Sequence, residues 1–289
     1  MRKVLLMALV LVVVSACSTP VCTDPAAGCY AVVGGGYANT AGGHSAVVGG
    51  GHANTADRYA IVGGGYANTA GGHSAIVGGG RKNSADGYAS VVGGGYANTA
   101  GRYAAVIGGG WHNAAIGDGD HAVVGGGLSN TAKGYAAVIG GGRGNVTDGD
   151  YAVVGGGRDN AAGGDYAVVG GGWNNSADGD YSFAAGRWAK AEADGCFIWG
   201  DSADGVVVCS DENQTVFRSS GGFYIYTDNT LSNGVYIPAG GNAWQAIGDR
   251  DAILELEALI RELEARVDDL EARVAALEQR SLCREARGD

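Results

Sequence analysis

Ten Gly-Gly-Gly triplets begin at Gly34, Gly49, Gly63, Gly78, Gly93, Gly108, Gly125, Gly140, Gly155 and Gly170, spaced 14 to 15 residues apart and once 17. Five residues after each first glycine stands an asparagine: Asn39, Asn54, Asn68, Asn83, Asn98, Asn113, Asn130, Asn145, Asn160 and Asn175. A short period held this strictly fits stacked turns of one coil, in which each residue lies beside its own copy in the next turn. Asparagine tolerates left-handed backbone, and its amide can bond to a copy one turn away. A structural asparagine ladder is therefore expected.

Two apolar, mostly β-branched residues precede each triplet, as in Val32-Val33, Val47-Val48, Ile61-Val62, Val106-Ile107 and Val168-Val169. They read as short strands. Neighbouring side chains on a strand point to opposite faces, so both faces of this strand must be covered. The inner residue fills its own coil, and the outer one requires another chain against it. A tyrosine column comprising Tyr30, Tyr59, Tyr88, Tyr103, Tyr135, Tyr151, Tyr166 and Tyr181 precedes the strands, and stacking is its expected role.

With 56 Gly and 3 Pro in 289 residues, a generic globular core is not expected. The formal net charge of -11, without a basic cluster, removes the electrostatic term on which nucleic-acid binding depends. The six cysteines, Cys17, Cys22, Cys29, Cys196, Cys209 and Cys283, form no zinc-site pattern with histidine, and an oxidising compartment suits them better. Arg2, Lys3 and the apolar residues 4–14 read as a secretion signal, too short for an ordinary membrane span. Its end, Val14-Ser15-Ala16-Cys17, resembles a bacterial lipobox, which implies a lipid on Cys17 and, with Ser18 next, outer-membrane sorting. Ordinary cleavage after Ala16 is the alternative, and in both cases the mature chain leaves the cytoplasm.

The unit Ala46-Val47-Val48-Gly49-Gly50-Gly51-His52-Ala53-Asn54-Thr55-Ala56 resembles the head repeat of trimeric autotransporter adhesins. The likeness covers residues 30–196 and implies a left-handed parallel β-roll with three chains side by side, although the glycine triplets are richer than the family motif. The expected organisation is a signal peptide (1–16), a tether (17–29), the roll (30–196), a β connector (197–252), a coiled coil (253–282) and a tail (283–289). The fold class is thus mainly β, a β-roll or solenoid with a C-terminal α-helical coiled coil, assembled as a homotrimer. Repeats decay at Phe183-Ala184-Ala185-Gly186, where a cap is required. Cys196 with Cys209, and Cys22 with Cys29, are possible disulfides that sequence does not establish.

From Ile253 the period is seven, with Ile253, Ile260, Val267, Val274 and Ser281 at a and Leu256, Leu263, Leu270 and Leu277 at d. Glutamates at e opposite Arg266 and Arg273 at g favour parallel packing. β-Branched a with Leu d leans to two strands. Arg266 to Glu271 and Arg273 to Glu278 each resemble a trimerisation motif, Arg-x-x-x-x-Glu, of short three-stranded coiled coils, which implies three. No β-barrel anchor follows, so self-secretion is not expected.

No catalytic machinery is expected, nor a cofactor or metal. The triplets lack the Lys-Ser/Thr of a phosphate loop. Asp118-Gly119-Asp120, Asp148-Gly149-Asp150 and Asp178-Gly179-Asp180 have the wrong period for calcium β-rolls and read as surface turns. Gly248-Asp249-Arg250-Asp251-Ala252-Ile253 is similar to the start of a self-cleaving tail-spike chaperone, but Gly248 and Ile253 replace its Ser and Lys. The candidate ligand-binding residues follow the triplets: Tyr37, Tyr66, Tyr96, Trp111, Arg143, Arg158 and Trp173, in a column that varies while its frame does not. An extracellular glycan or a matrix or cell-surface protein would suit them, unless they only shield the turn edges. A non-adhesive structural piece, tail-fibre-like or an envelope spacer, is the alternative function. Ice binding is remote, because Ala114, Val146 and Ala161 interrupt the column of Thr40, Thr55, Thr69, Thr99 and Thr131.

Overall fold

The computed structural model describes residues 30–226, 234–247 and 250–285. The repeats wind into a parallel β-solenoid in which each turn pairs with the next, Val47 with Ile61 and Val48 with Val62 on one side, Thr55 with Thr69 and Ala56 with Ala70 on the other. The aliphatic pairs build a 13-stranded sheet from Val32–Val33 to Thr215–Arg218, and the Thr-Ala pairs a 12-stranded sheet from Thr40–Ala41 to Val207–Cys209. Alternation along each two-residue strand decides what is buried. Val48 and Ala56 are wholly buried, whereas Val47 and Thr55 lie half-buried on the outside.

The core of one turn is small: Ala46, Val48, Asn54 and Ala56, each 0% exposed. Burying the valine is worth roughly 1.5–3 kcal/mol, so the hydrogen bonds must contribute as well. Asn54 shows how they do so. Its Nδ2 donates to Gly50 O in its own turn and to Gly65 O in the next, both at 2.9 Å. Its Oδ1 accepts the backbone N–H of Asn68 at 3.0 Å. The ladder expected from the sequence is present, but it runs mainly through backbone N–H groups. Direct amide-to-amide contacts occur at some steps only, such as Asn98 Nδ2 to Asn83 Oδ1 at 3.1 Å. The left-handed residue is not asparagine but the one before it, Ala53 with φ 55° and Ala97 with φ 53°. That corner turns the asparagine inward.

The lock explains why triplets and asparagines travel together. A Cβ on Gly51, where φ is +94°, would lie 2.2 Å from Gly65 O and 2.8 Å from Asn54 Nδ2. The first glycine is crowded too, since a Cβ on Gly49 would meet Gly63 O at 2.3 Å. The middle glycine is unconfined: around Gly94 no atom lies within 4 Å of a would-be Cβ.

The solenoid runs further than its repeat signature. The sequence puts the end of the roll at residue 196, yet strands Phe197–Gly200, Val207–Cys209 and Thr215–Arg218 continue both sheets. Strand pairing needs only backbone, so it outlasts the motif. Cys196 and Cys209 are disulfide-bonded, with Cα atoms 6.0 Å apart. They continue the inward small-residue columns: Cys209 pairs with Ala191, which lies in line with Ala177. Arg218 pins the last loop through Asp201 Oδ1 at 2.8 Å and Ala203 O at 2.9 Å.

Two compact units divide at Arg218 and Ser219. The second contains the antiparallel strands Phe223–Tyr226, Gly234–Ile237 and Gln245–Ile247, and the helix Arg250–Glu285. Along the helix Ile260, Leu263, Val267, Leu270 and Val274 are exposed in the single chain. No helix among the described residues is long and apolar enough to cross a membrane.

Gly95→Ala, at φ +89° and 2.1 Å from Gly110 O, should cost roughly 2 kcal/mol or more. Gly94→Ala should stay within about 0.5 kcal/mol of the parent. Denaturant unfolding separates the two, and equal losses would refute the crowding argument. A second site tests the core. Thr147 takes an alanine position between Ala132 and Ala162, and its buried hydroxyl has no partner among the described residues. Thr147→Val should therefore raise stability by about 1 kcal/mol. An unchanged or lower midpoint would show that the hydroxyl is satisfied.

Candidate binding surface

The residue after each triplet opens a third line of pairing, with single parallel bridges from Tyr37 through His52, Tyr66, Arg81, Tyr96, Trp111, Leu128, Arg143 and Arg158 to Trp173. Arg187 comes next, paired with Trp173. The seven candidate residues therefore share one column. Tyr37, His52 and Tyr66 stack at 5.2 and 4.9 Å, the latter pair only 4° from parallel. Arg81 lies between two rings, 5.2 Å from Tyr66 and 5.7 Å from Tyr96, and Tyr96 meets Trp111 at 4.9 Å. Past Leu128 and Arg143, Arg158 and Arg187 flank Trp173 at 5.7 and 5.0 Å. Arg187 also covers Trp188 at 4.3 Å and pairs with Asp204 at 2.7 Å. Rings and guanidinium groups thus substitute for one another turn by turn. Their faces are largely occupied by each other, which leaves edges, hydroxyls and N–H groups outward.

A second ladder lies at the corner before the aliphatic strands. The sequence shows eight tyrosines there. The structure joins them through three histidines into Tyr30–His44–Tyr59–His73–Tyr88–Tyr103–His121–Tyr135–Tyr151–Tyr166–Tyr181, with centroids 5.0 to 5.8 Å apart. His44, His73 and His121 escape sequence reading because the ring sits at either of two adjacent positions. Tyr59, His121, Tyr151, Tyr166 and Tyr181 occupy the left-handed corner itself, at φ 56 to 62°. His44, His73, Tyr88, Tyr103 and Tyr135 stand one residue earlier, followed by Ser45, Ser74, Ala89, Ala104 and Ala136 in the left-handed conformation. Aligning both positions together, with one ring required per turn, would have found them.

Where the ring takes the later position, the earlier one is often aspartate, and a carboxylate rail runs beside the ladder. Asp165 Oδ1 accepts Asp150 N–H at 2.9 Å, Asp180 Oδ1 accepts Asp165 N–H at 2.8 Å, and Asp194 Oδ1 accepts Asp180 N–H at 2.8 Å. This rail satisfies main-chain donors on an exposed corner. The Tyr151 hydroxyl is pushed above its ordinary 10.0, first by desolvation, then by the charges of Tyr135, Tyr166 and Asp150.

The other candidate residues fall elsewhere. Cys17, with the signal peptide, tether and the Cys22–Cys29 pair, lies outside the described residues. Arg266, Glu271 and Arg273 are exposed on the helix, where Arg273 approaches Asp269 of the same chain at 3.8 Å, and the Glu278 side chain is not among those described. Among the described residues no three His, Cys, Asp or Glu side chains form a metal-binding group. Comparison with protein-family models, curated proteins and solved structures finds no match.

The raised Tyr151 hydroxyl keeps its proton in the folded chain after the unfolded chain has lost it. Its contribution to stability is whole below about pH 10 and is lost as pH rises through the folded value. Tyr151→Phe should flatten the alkaline decline measured between about pH 9 and about pH 11. An unaltered slope would place the strain elsewhere.

Proposed function

We propose that the chain is an exported, adhesin-like fibre on the cell surface, a homotrimer with left-handed β-rolls like trimeric autotransporter heads and a parallel three-stranded coiled coil. The roll binds a polymeric or cell-surface ligand, a glycan or a matrix protein, through the column after the triplets. The observation that carries this reading is that column: one Tyr, Trp, Arg, His or Leu per turn, projecting from a backbone frame that does not change. Such residues dominate binding hot spots, and even spacing suits a repeating partner.

Assembly into trimers rests on the outer aliphatic positions. Val32, Ile61 and Ile76 are 39 to 52% exposed in the single chain, and the stripe continues into Phe197 at 39%. An apolar column of that length calls for a covering surface, and sister chains supply an identical one. The exposed heptad positions of the helix, with Arg266 facing Glu271 and Arg273 facing Glu278 of neighbours, set the number and direction of strands. A lipid on Cys17 would hold the fibre at the outer membrane.

One observation favours a non-adhesive structural role instead. The rings of the column stack on one another, and this packing alone would justify them as edge cover.

The test combines mass and binding. Sedimentation equilibrium of the exported chain should give three times the monomer mass at micromolar concentration. Tyr96, Trp111 and Trp173 changed together to Ala should lower cell or matrix binding at least about tenfold, with the mass and melting unchanged. A stable monomer removes the trimer, and undiminished binding by the triple variant removes the adhesive column.

A further inference from the structure

Tyr181 is the last ring of the corner ladder, and the turn that follows puts Gly195 where the next ring would stand. Gly195 has φ +66°, the same left-handed conformation as Tyr166 and Tyr181 at 57 and 56°. Its N–H bonds to Asp180 O at 2.8 Å, as that of Tyr181 bonds to Asp165 O at 2.9 Å, so the backbone frame of the ladder continues without its ring. One turn further, Asn213 occupies the position at φ 58°, its N–H on Asp194 O at 2.8 Å. The ladder thus lacks one ring beyond Tyr181, and the Asn213 amide leans back along the inner side of the gap, its Oδ1 2.5 Å from where a Cβ on Gly195 would lie.

Exposure agrees with that geometry. Tyr166, stacked on both sides, is 48% exposed, whereas Tyr181 is 70% exposed. Its second face is bare. Beside the vacancy run Asp180, Asp194 and Glu212, which pair with no Lys or Arg among the described residues, and Asp194 has one oxygen committed to Asp180 N–H. An open aromatic face next to carboxylates selects a flat cation over a neutral ring.

The molecule itself shows which cation fits a turn of such a ladder. In the column after the triplets, Arg81 takes the place of a ring between Tyr66 and Tyr96. A guanidinium is planar, stacks on aromatic faces and forms paired hydrogen bonds with a carboxylate. We infer that the vacancy over Gly195 is a binding site for a guanidinium group, stacked on Tyr181 and hydrogen-bonded to Asp194, presented by an arginine side chain of a partner protein. This site is independent of the adhesive column and lies on a different edge of the turn.

Titration calorimetry of the full exported chain tests it, with a capped Gly-Arg-Gly peptide, methylguanidinium, and the capped peptide carrying neutral citrulline for arginine. Saturable binding of the arginine peptide at about millimolar strength, at least about tenfold tighter than the citrulline peptide, is expected. Binding by methylguanidinium alone would make the site one for small free cations and overturn the partner-protein assignment. Tyr181→Ala and Asp194→Asn should each weaken the arginine peptide several-fold, and Asn at 194 still offers an oxygen to Asp180 N–H. Gly195→Tyr should abolish binding by completing the ladder. Tyrosine already occupies this conformation in four other turns, and the Asn213 amide, whose Oδ1 would lie 2.5 Å from the new Cβ, is a flexible side chain that can swing aside, so the melting temperature should stay close to the parent's. Absent binding, equal binding of citrulline, or indifference to both Tyr181→Ala and Gly195→Tyr would each sink the assignment.

Discussion

Each of the ten repeat turns of this solenoid depends on one buried asparagine whose amide closes its own loop and the loop above it. Asn54 makes two donor bonds to glycine carbonyls and accepts one from the next asparagine's main chain. Each such bond contributes about 1 kcal/mol net, but leaving any of these buried groups unpaired costs about 1–3 kcal/mol. The asymmetry matters more than the gain, because one replacement orphans donors and acceptors in two turns. Glycine at the third triplet position follows as a steric consequence, since only its missing Cβ lets the amide sit between two turns.

The same lock permits a core that would otherwise be too thin. Alanine and one valine or isoleucine per turn make up nearly all of the apolar interior, and each turn also holds non-glycine residues in left-handed backbone at about 1–2 kcal/mol apiece. No single turn can meet that cost. Stacking does, because neighbouring turns share their hydrogen bonds and stability grows turn by turn. At the C-terminal end there is less stacking to rely on, and other devices replace it: longer strands, the Cys196–Cys209 bridge and the ion pair of Arg218 with Asp201.

Much of this was legible in the sequence because the repeat forces it. The triplet-to-asparagine offset foretold the turn, and the paired aliphatic residues foretold that one of each pair points inward and the other outward; the structure assigns Val62 to the inside and Ile61 to the outside. What escaped reading had no motif. Strands after residue 196 keep the backbone pairing and an inward residue such as Ile198 but lose the triplet and the asparagine, so Phe197–Gly200 and Thr215–Arg218 belong to the solenoid without resembling it. The histidines of the corner ladder escaped because sequence alignment fixes one position per turn. Two adjacent backbone positions can nonetheless deliver a ring to the same place, as His73 and Tyr59 do. Left-handed backbone fell on Ala53 rather than Asn54, because the corner must precede the side chain that it turns inward.

Periodicity also restricts what the outer surface can offer. When identical turns stack, a side chain's nearest neighbour is its own counterpart, and aromatic residues stack on each other before meeting anything else. Tyr66 is covered by His52 on one side and Arg81 on the other. A sugar ring therefore finds few open faces along the column. Recognition there has to proceed through ring edges, hydroxyls and arginine N–H groups, which are directional and polar. An open face needs a break in the repeat, and the break must keep the backbone while losing the side chain. Glycine is the residue that does both, which is why the end of the corner ladder at Gly195 differs in chemistry from every turn before it.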